Sequence, residues 1–143
     1  MGTFTFFDEY KGNSGKKLID LSADTIKVAL TNVAPDAAAD DELADITQIA
    51  GGTGYTTGGV GVANPTWAET GAGTGIWRFS HDDLTITASG GAVGPFRYYV
   101  WLSDTSTGKK LIGFMDRGSA LTLADGQSVT VDIGANGLFD LDG

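Results

Sequence analysis

The sequence predicts an all-β fold, a single-domain sandwich or Greek-key barrel of eight or so short strands with one or two short helices. Three observations carry this expectation. Apolar residues alternate at period two in several separate short runs. Glycine, at 22 of 143 residues, is about twice its usual share of roughly 7%. Fifteen of the eighteen acidic residues are Asp, with only Glu9, Glu42 and Glu69 as Glu. Asp favours turns where Glu favours helices, so both biases describe many strands joined by tight connections. No repeat, linker or composition break divides residues 1–143, and residues 1–12 are set apart only as a candidate docking arm.

In chain order, Phe4, Phe6, Phe7 and Tyr10 crowd aromatic rings into the first dozen residues. Their spacing suits a short helix from Thr5 stopped at Gly12, or an arm laid across another surface. Rings at a terminus need cover, either from this domain's own core or from a neighbour. Gly12–Lys17 reads as a turn, after which Leu18, Ile19 and Leu21 resume the apolar pattern. Asp24–Thr31 is a strand, with Ile26, Val28 and Leu30 on one face and Thr25, Lys27 and Ala29 on the other. Asn32–Asp40, which includes Pro35, ends it. Leu43, Ile46 and Ile49 recur at helical spacing, so Asp41–Ile49 is expected as a short helix capped by Asp40 or Asp41.

Residues 51–94 hold 12 of the 22 glycines. A long structureless loop is improbable inside a compact domain, so short strands are expected at Tyr55–Val62, Ile76–Ser80 and Leu84–Ala88, with His81-Asp82-Asp83 as the turn between the last two. Phe96–Asp116 then offers two β-prone arms around a polar turn that contains Gly108, a hairpin with apolar bulk on both faces. Such a pair belongs in the middle of a sheet, or in a sheet that also meets another subunit. Arg117-Gly118-Ser119 is expected to turn the chain, followed by strands at Ala120–Leu123 and Ser128–Ile133 about the Asp125-Gly126 turn. Gly137–Asp142 completes the chain as an edge strand blunted by Asp140 and Asp142.

Composition narrows the function. The chain has no cysteine, which excludes Cys-containing zinc sites, and its one histidine excludes a histidine-rich site. A net charge of -9 and a pI near 4.2 oppose binding to nucleic acid or to anionic membrane. The first dozen residues do not read as a secretory leader, position 6 is not the Ser or Thr of an N-myristoylation signal, and no apolar run approaches the length of a membrane span. A soluble chain is expected.

Motifs for catalysis are weak. Gly15-Lys16-Lys17 and Gly108-Lys109-Lys110 lack the spaced glycine and the Ser/Thr of a phosphate loop, and Gly52–Gly61 fails the dinucleotide pattern. Ser80-His81-Asp82 has the residue types of a catalytic triad in direct succession, where a triad needs them brought together from separate places. Asp82-Asp83 and Asp140-x-Asp142-Gly143 look like fragments of calcium loops without the ligand spacing or the closing Glu. The three Glu stand in no distinctive setting for glycoside hydrolysis. Trp67, Trp77 and Trp101, with Tyr55, Tyr98 and Tyr99, suit sugar stacking or, more commonly, core and interface packing. No catalytic residue, cofactor or metal is expected, and the chain reads as a non-enzyme.

Thr25–Asn32, Leu43–Ala50, Gly54–Gly59, Phe96–Thr105 and Leu111–Gly118 together give the chain a resemblance to small structural proteins of tailed bacteriophages. The resemblance covers nearly the whole chain. It implies a β-protein of the virion, assembled in the host cytoplasm, that attaches in many copies to a major capsid or tail protein. Capsid decoration, or cement, is the role it best implies. The alternative is a tail or fibre component that binds a host-surface glycan. On this reading the protein is a homo-oligomer, with a trimer about a capsid threefold axis one arrangement, and binds neither nucleic acid nor membrane. Phe4, Phe6 and Phe7 are the candidate docking residues, and Tyr99 and Trp101 the candidates for an inter-subunit face.

Overall fold

The computed structural model describes residues 3–142. Met1, Gly2 and Gly143, which belong to the expected docking arm and to the calcium-like tail, lie outside the described residues, as does the side chain of Asp142. In chain order the elements are β1 (Phe4–Phe6), α1 (Asp8–Gly15), β2 (Ile26–Thr31), a 3₁₀ turn (Leu43–Asp45), β3 (Val60–Gly61), β4 (Thr66–Glu69), β5 (Ile76–Ser80), β6 (Leu84–Thr87), β7 (Val93–Ser103), β8 (Leu111–Leu123), β9 (Ser128–Val131) and β10 (Phe139–Asp142). The fold is all-β. Every strand pairing is antiparallel, in sheets ordered β1-β8-β7-β2-β3, β10-β5-β4 and β6-β9.

The expected hairpin is the centre of the five-stranded sheet, where β7 lies between β8 and β2. Both of its faces are covered, by different layers. On one face Val28, Leu30, Tyr99, Trp101 and Ile112 join Phe79 and Phe139 of the three-stranded sheet and Leu84, Ile86 and Val131 of the two-stranded sheet in one buried cluster, a sandwich-like core. On the other, Ala29, Val100, Leu102 and Leu111 are covered by Phe7, Leu43 and Ile46. This second, smaller core explains why alternation along β7 leaves no polar face.

Several elements depart from the pattern the sequence suggests. The helix runs through Gly12 to Gly15 because Asp8 and Glu9 in its first turn favour helix there, and Asn13 anchors it by donating from Nδ2 to Asp41 Oδ1 at 2.7 Å. The helix expected over Asp41–Ile49 is only the 3₁₀ turn. Asp45 Oδ2 accepts from the N–H groups of Asp41 and Glu42 at 2.9 and 3.1 Å and closes that turn. Ile46 then goes extended, Gln48 bridges to Thr31, and Ile49 N–H donates to Leu30 O at 3.0 Å. Pairing with β2 outcompetes a helix that has one apolar stripe. Arg117-Gly118-Ser119 does not end a strand. Between the pairs Tyr98↔Asp116 and Phe96↔Leu121 the chain of β8 bulges, with Gly118 at φ 92°, and then continues to Leu123. Tyr55–Val62 is reduced to the two residues of β3, and β4 is a strand that the sequence pattern did not single out.

Strand β1 is seated by a glycine. Gly113 lies opposite Phe6, and a Cβ there would collide with the Phe4 ring and come within 2.7 Å of Thr5 O. The missing side chain lets Phe4 lie across β8 and meet Trp101 edge-on at 5.6 Å.

Candidate functional site

The site is built on the three-stranded sheet. Strand β5 reads Ile76-Trp77-Arg78-Phe79-Ser80, so Trp77 and Phe79 share a face and Arg78 takes the other. Register fills that face with two rows, Phe139–Phe79–Trp67 and Leu141–Trp77–Glu69. The first row enters the main core, with Phe79 fully buried and Phe4 and Phe6 packed on Phe139 at ring distances of 5.1 and 4.8 Å. The second row extends past the core's edge. Trp77 is 42% exposed there and is tilted against Trp67 at 5.7 Å and 33°. On the opposite face Arg78 pairs with Asp140 through Nε and Nη2 at 2.7 and 2.9 Å, which holds β5 and β10 in register.

Beside this row a hollow of about 230 Å³ is lined by Phe6, Tyr10, Lys11, Ser14 and Leu141. Tyr10 is buried, which raises its pKa above the ordinary value, and the nearby Ser14 hydroxyl partly offsets this without reaching hydrogen-bond geometry. Trp77, Trp67, Leu141 and Phe6 thus make one partly exposed apolar strip on the sheet. Its chemistry suits packing against another surface.

The candidate interface residues fall into two groups. Phe7 and Trp101 have no exposed surface and Tyr99 has 6%, so all three are enclosed by this chain's own fold. The reading of Tyr99 and Trp101 as an inter-subunit face is corrected by the main core, where Phe96 packs on Tyr99, and Phe4 and His81 on Trp101. Phe7 is covered by the second core. Phe4 and Phe6 are half-buried, and the expected arm is strand β1 of this chain's own sheet over Phe4–Phe6, with Phe4 opposite Met115, and helix α1 from Asp8. The residue that most answers the expectation of an exposed ring is Trp77. Its alternation with Phe79 was the available signal, but that alone does not say where the core ends.

The triad residue types are not assembled. His81 is buried, its Nε2 accepts from the Trp101 indole at 2.9 Å, and its Nδ1 lies 2.7 Å from Asp82 O, so both ring nitrogens hold the core together. Asp82 accepts from Asn64 Nδ2 and Asp83 from Ile133 N–H. Glu69 accepts from Gly73 and Gly75 N–H in the β4–β5 turn, and Glu42 pairs with Lys110 at 2.8 Å. Among the described residues no group of three His, Cys, Asp or Glu gathers about a point, and no helix is long and apolar enough to cross a membrane.

Comparison with known proteins finds no matching family model, no similar curated protein and no similar solved structure.

Proposed function

We propose that this protein is a non-catalytic structural component that attaches in many copies to the shell of a tailed-bacteriophage particle and stabilises the assembled state. The observation that carries this reading is Trp77, a large ring left 42% exposed beside Trp67. Trp at the centre of an apolar strip is the residue type that most often anchors an interface. The sequence's resemblance to phage structural proteins supports the choice of partner, a major capsid or tail protein. Binding only the assembled shell stabilises it by mass action, and many weak contacts add by avidity. A net charge of -9 keeps free copies apart before attachment.

A second reading, glycan binding by a tail or fibre component, draws on the same exposed indole, since a tilted Trp pair is a wall against which a sugar ring can lie. The two separate by experiment. Co-expression with candidate shell proteins followed by sedimentation is expected to place the protein with particles, whereas a glycan binder stays in the supernatant and shifts on a glycan column.

A further inference from the structure

A second concavity, of about 630 Å³, opens where β8 and β9 part. The tight turn between these strands is closed by Gln127 N–H donating to Ala124 O at 2.8 Å. Beyond it they enter different sheets, and β9 pairs only with β6. The cleft's apolar floor is formed by the nearly fully buried Tyr99, Met115 and Val131 of the main core, with half-buried Val129 beside them. Its remaining groups are unusual in what they lack.

Arg117 is the first. Arg78 and Arg97 each hold a carboxylate through two hydrogen bonds, to Asp140 and Asp116. Arg117, among the described residues, has no ion pair; its Nη1 donates to Ser119 O at 2.8 Å and its Cζ lies 5.8 Å from the Phe96 ring centre. Tyr99 is the second. It is 6% exposed, and Arg117 approaches its hydroxyl without completing a hydrogen bond. The third is the β9 edge. Ala88 N–H donates to Gln127 O at 2.9 Å, so the alternation along the β6–β9 pair turns the N–H and C=O of Thr130 away from β6, and Thr130 lines the cleft.

We propose that this cleft binds the carboxyl-terminal end of an extended polypeptide whose last residue is apolar. A guanidinium with no carboxylate partner, one of its nitrogens already donating to Ser119 O, and a hydroxyl beside it match a carboxylate. An unpaired strand edge matches the peptide group before it, and half-buried Val129 over the Met115 and Val131 floor matches an apolar side chain. One ligand end presents all three chemistries. Asp132 also lines the cleft, with Oδ1 held by Gly134 N–H, and its charge selects against a second carboxylate on the ligand. Asp116 is neutralised by Arg97. This inference rests on β8 and β9 and stands apart from the attachment reading, which rests on Trp77.

The test titrates the full chain with acetyl-Thr-Val-Thr-Leu as free acid and as its carboxyl-terminal amide, following amide chemical shifts. The acid is expected to bind, with shifts at Thr130 and Arg117, and the amide about tenfold or more weaker. Arg117→Gln is expected to lose a similar factor while keeping the wild-type urea midpoint, and Arg117→Lys to recover part of it. Methylating the nitrogen of the ligand's peptide bond nearest β9 is expected to weaken binding as well. Absence of binding at millimolar acid, equal binding of acid and amide, or indifference to Arg117→Gln would each overturn the proposal, and indifference to N-methylation would overturn strand addition in favour of a site for small organic anions.

Discussion

Trp101 donates its indole N–H to Nε2 of His81 at 2.9 Å, inside the core. His81 therefore carries its proton on Nδ1, directed at Asp82 O 2.7 Å away. Burial lowers the His81 pKa below its ordinary 6.5, against the opposing pull of the Asp82 carbonyl and the Asp82 and Asp83 charges. Because the folded value lies below the unfolded one, the stability this pair contributes is complete above pH 6.5 and is lost as pH falls from there toward the folded value. His81→Leu leaves the buried Trp101 N–H without a partner and is expected to cost about 1–3 kcal/mol at neutral pH. Urea midpoints of the two proteins should converge as pH falls below 6.5; parallel curves would show that the imidazole stays neutral for another reason.

Gly113 is the seat of β1. Gly113→Ala forces its Cβ into the Phe4 ring and against Thr5 O, and is expected to destabilise by about 1–3 kcal/mol. The loss is local in character. The amide of Phe7, which donates to Ile112 O at 3.2 Å, should exchange faster in the variant while β7 amides keep their order of protection. Unchanged exchange at Phe7 would show that β8 yields instead of β1.

Much of this architecture was legible from alternation. The strand at Ile76–Ser80 is where it is expected, and the start of the one at Leu84 follows from period two, because it alternates buried and exposed residues. The doubly apolar hairpin, expected in the middle of a sheet or in a sheet that also meets another subunit, lies at the centre of the five-stranded sheet. What alternation does not reveal is the identity of the covering layer, so Tyr99 and Trp101 suggested a neighbour where the chain supplies its own. Leu43, Ile46 and Ile49 misled for a related reason, since helical spacing competes with a pairing to β2 contributed by residues far away in sequence. The cleft between β8 and β9 was invisible, because it exists only where two adjacent strands join different sheets. Trp77 and Trp67 were visible as residues, but their position past the core's edge depends on the register of three strands.

Lys110 ties the 3₁₀ turn to β8. Its Nζ donates to Asp41 Oδ2 and Glu42 Oε1, both at 2.8 Å, with the side chain 15% exposed. These carboxylates push its pKa up to about 12, and the Lys110 ammonium in turn holds Asp41 below the usual carboxylate range. The raised lysine value means that its stabilisation is complete below pH 10.5 and is lost as pH rises through about 12. Lys110→Met is expected to cost about 1 kcal/mol at neutral pH, and the difference in urea midpoint should shrink in strong alkali and, because Lys110 holds the Asp41 pKa down, in acid as pH falls below 3.8 toward the lowered Asp41 value. A difference already gone by pH 9, on the order of one unit below the free lysine range, would rule this geometry out.

Two tryptophans should behave in opposite ways. Trp101→Ala empties the core and is expected to cost about 3–5 kcal/mol. Trp77→Ala, at a partly exposed position, is expected to change stability by about 1 kcal/mol or less, measured by urea unfolding. A large loss from Trp77→Ala would make that ring a core residue and remove it from any interface.

The most direct measurement is quantitative co-sedimentation of wild-type protein and Trp77→Ala with assembled phage shells, each first shown to be folded. The account predicts that wild type pellets with the particles at a fixed stoichiometry and that Trp77→Ala remains in solution. Wild-type protein that stays in solution with every candidate shell, or a Trp77→Ala variant that pellets as fully as wild type, would contradict it.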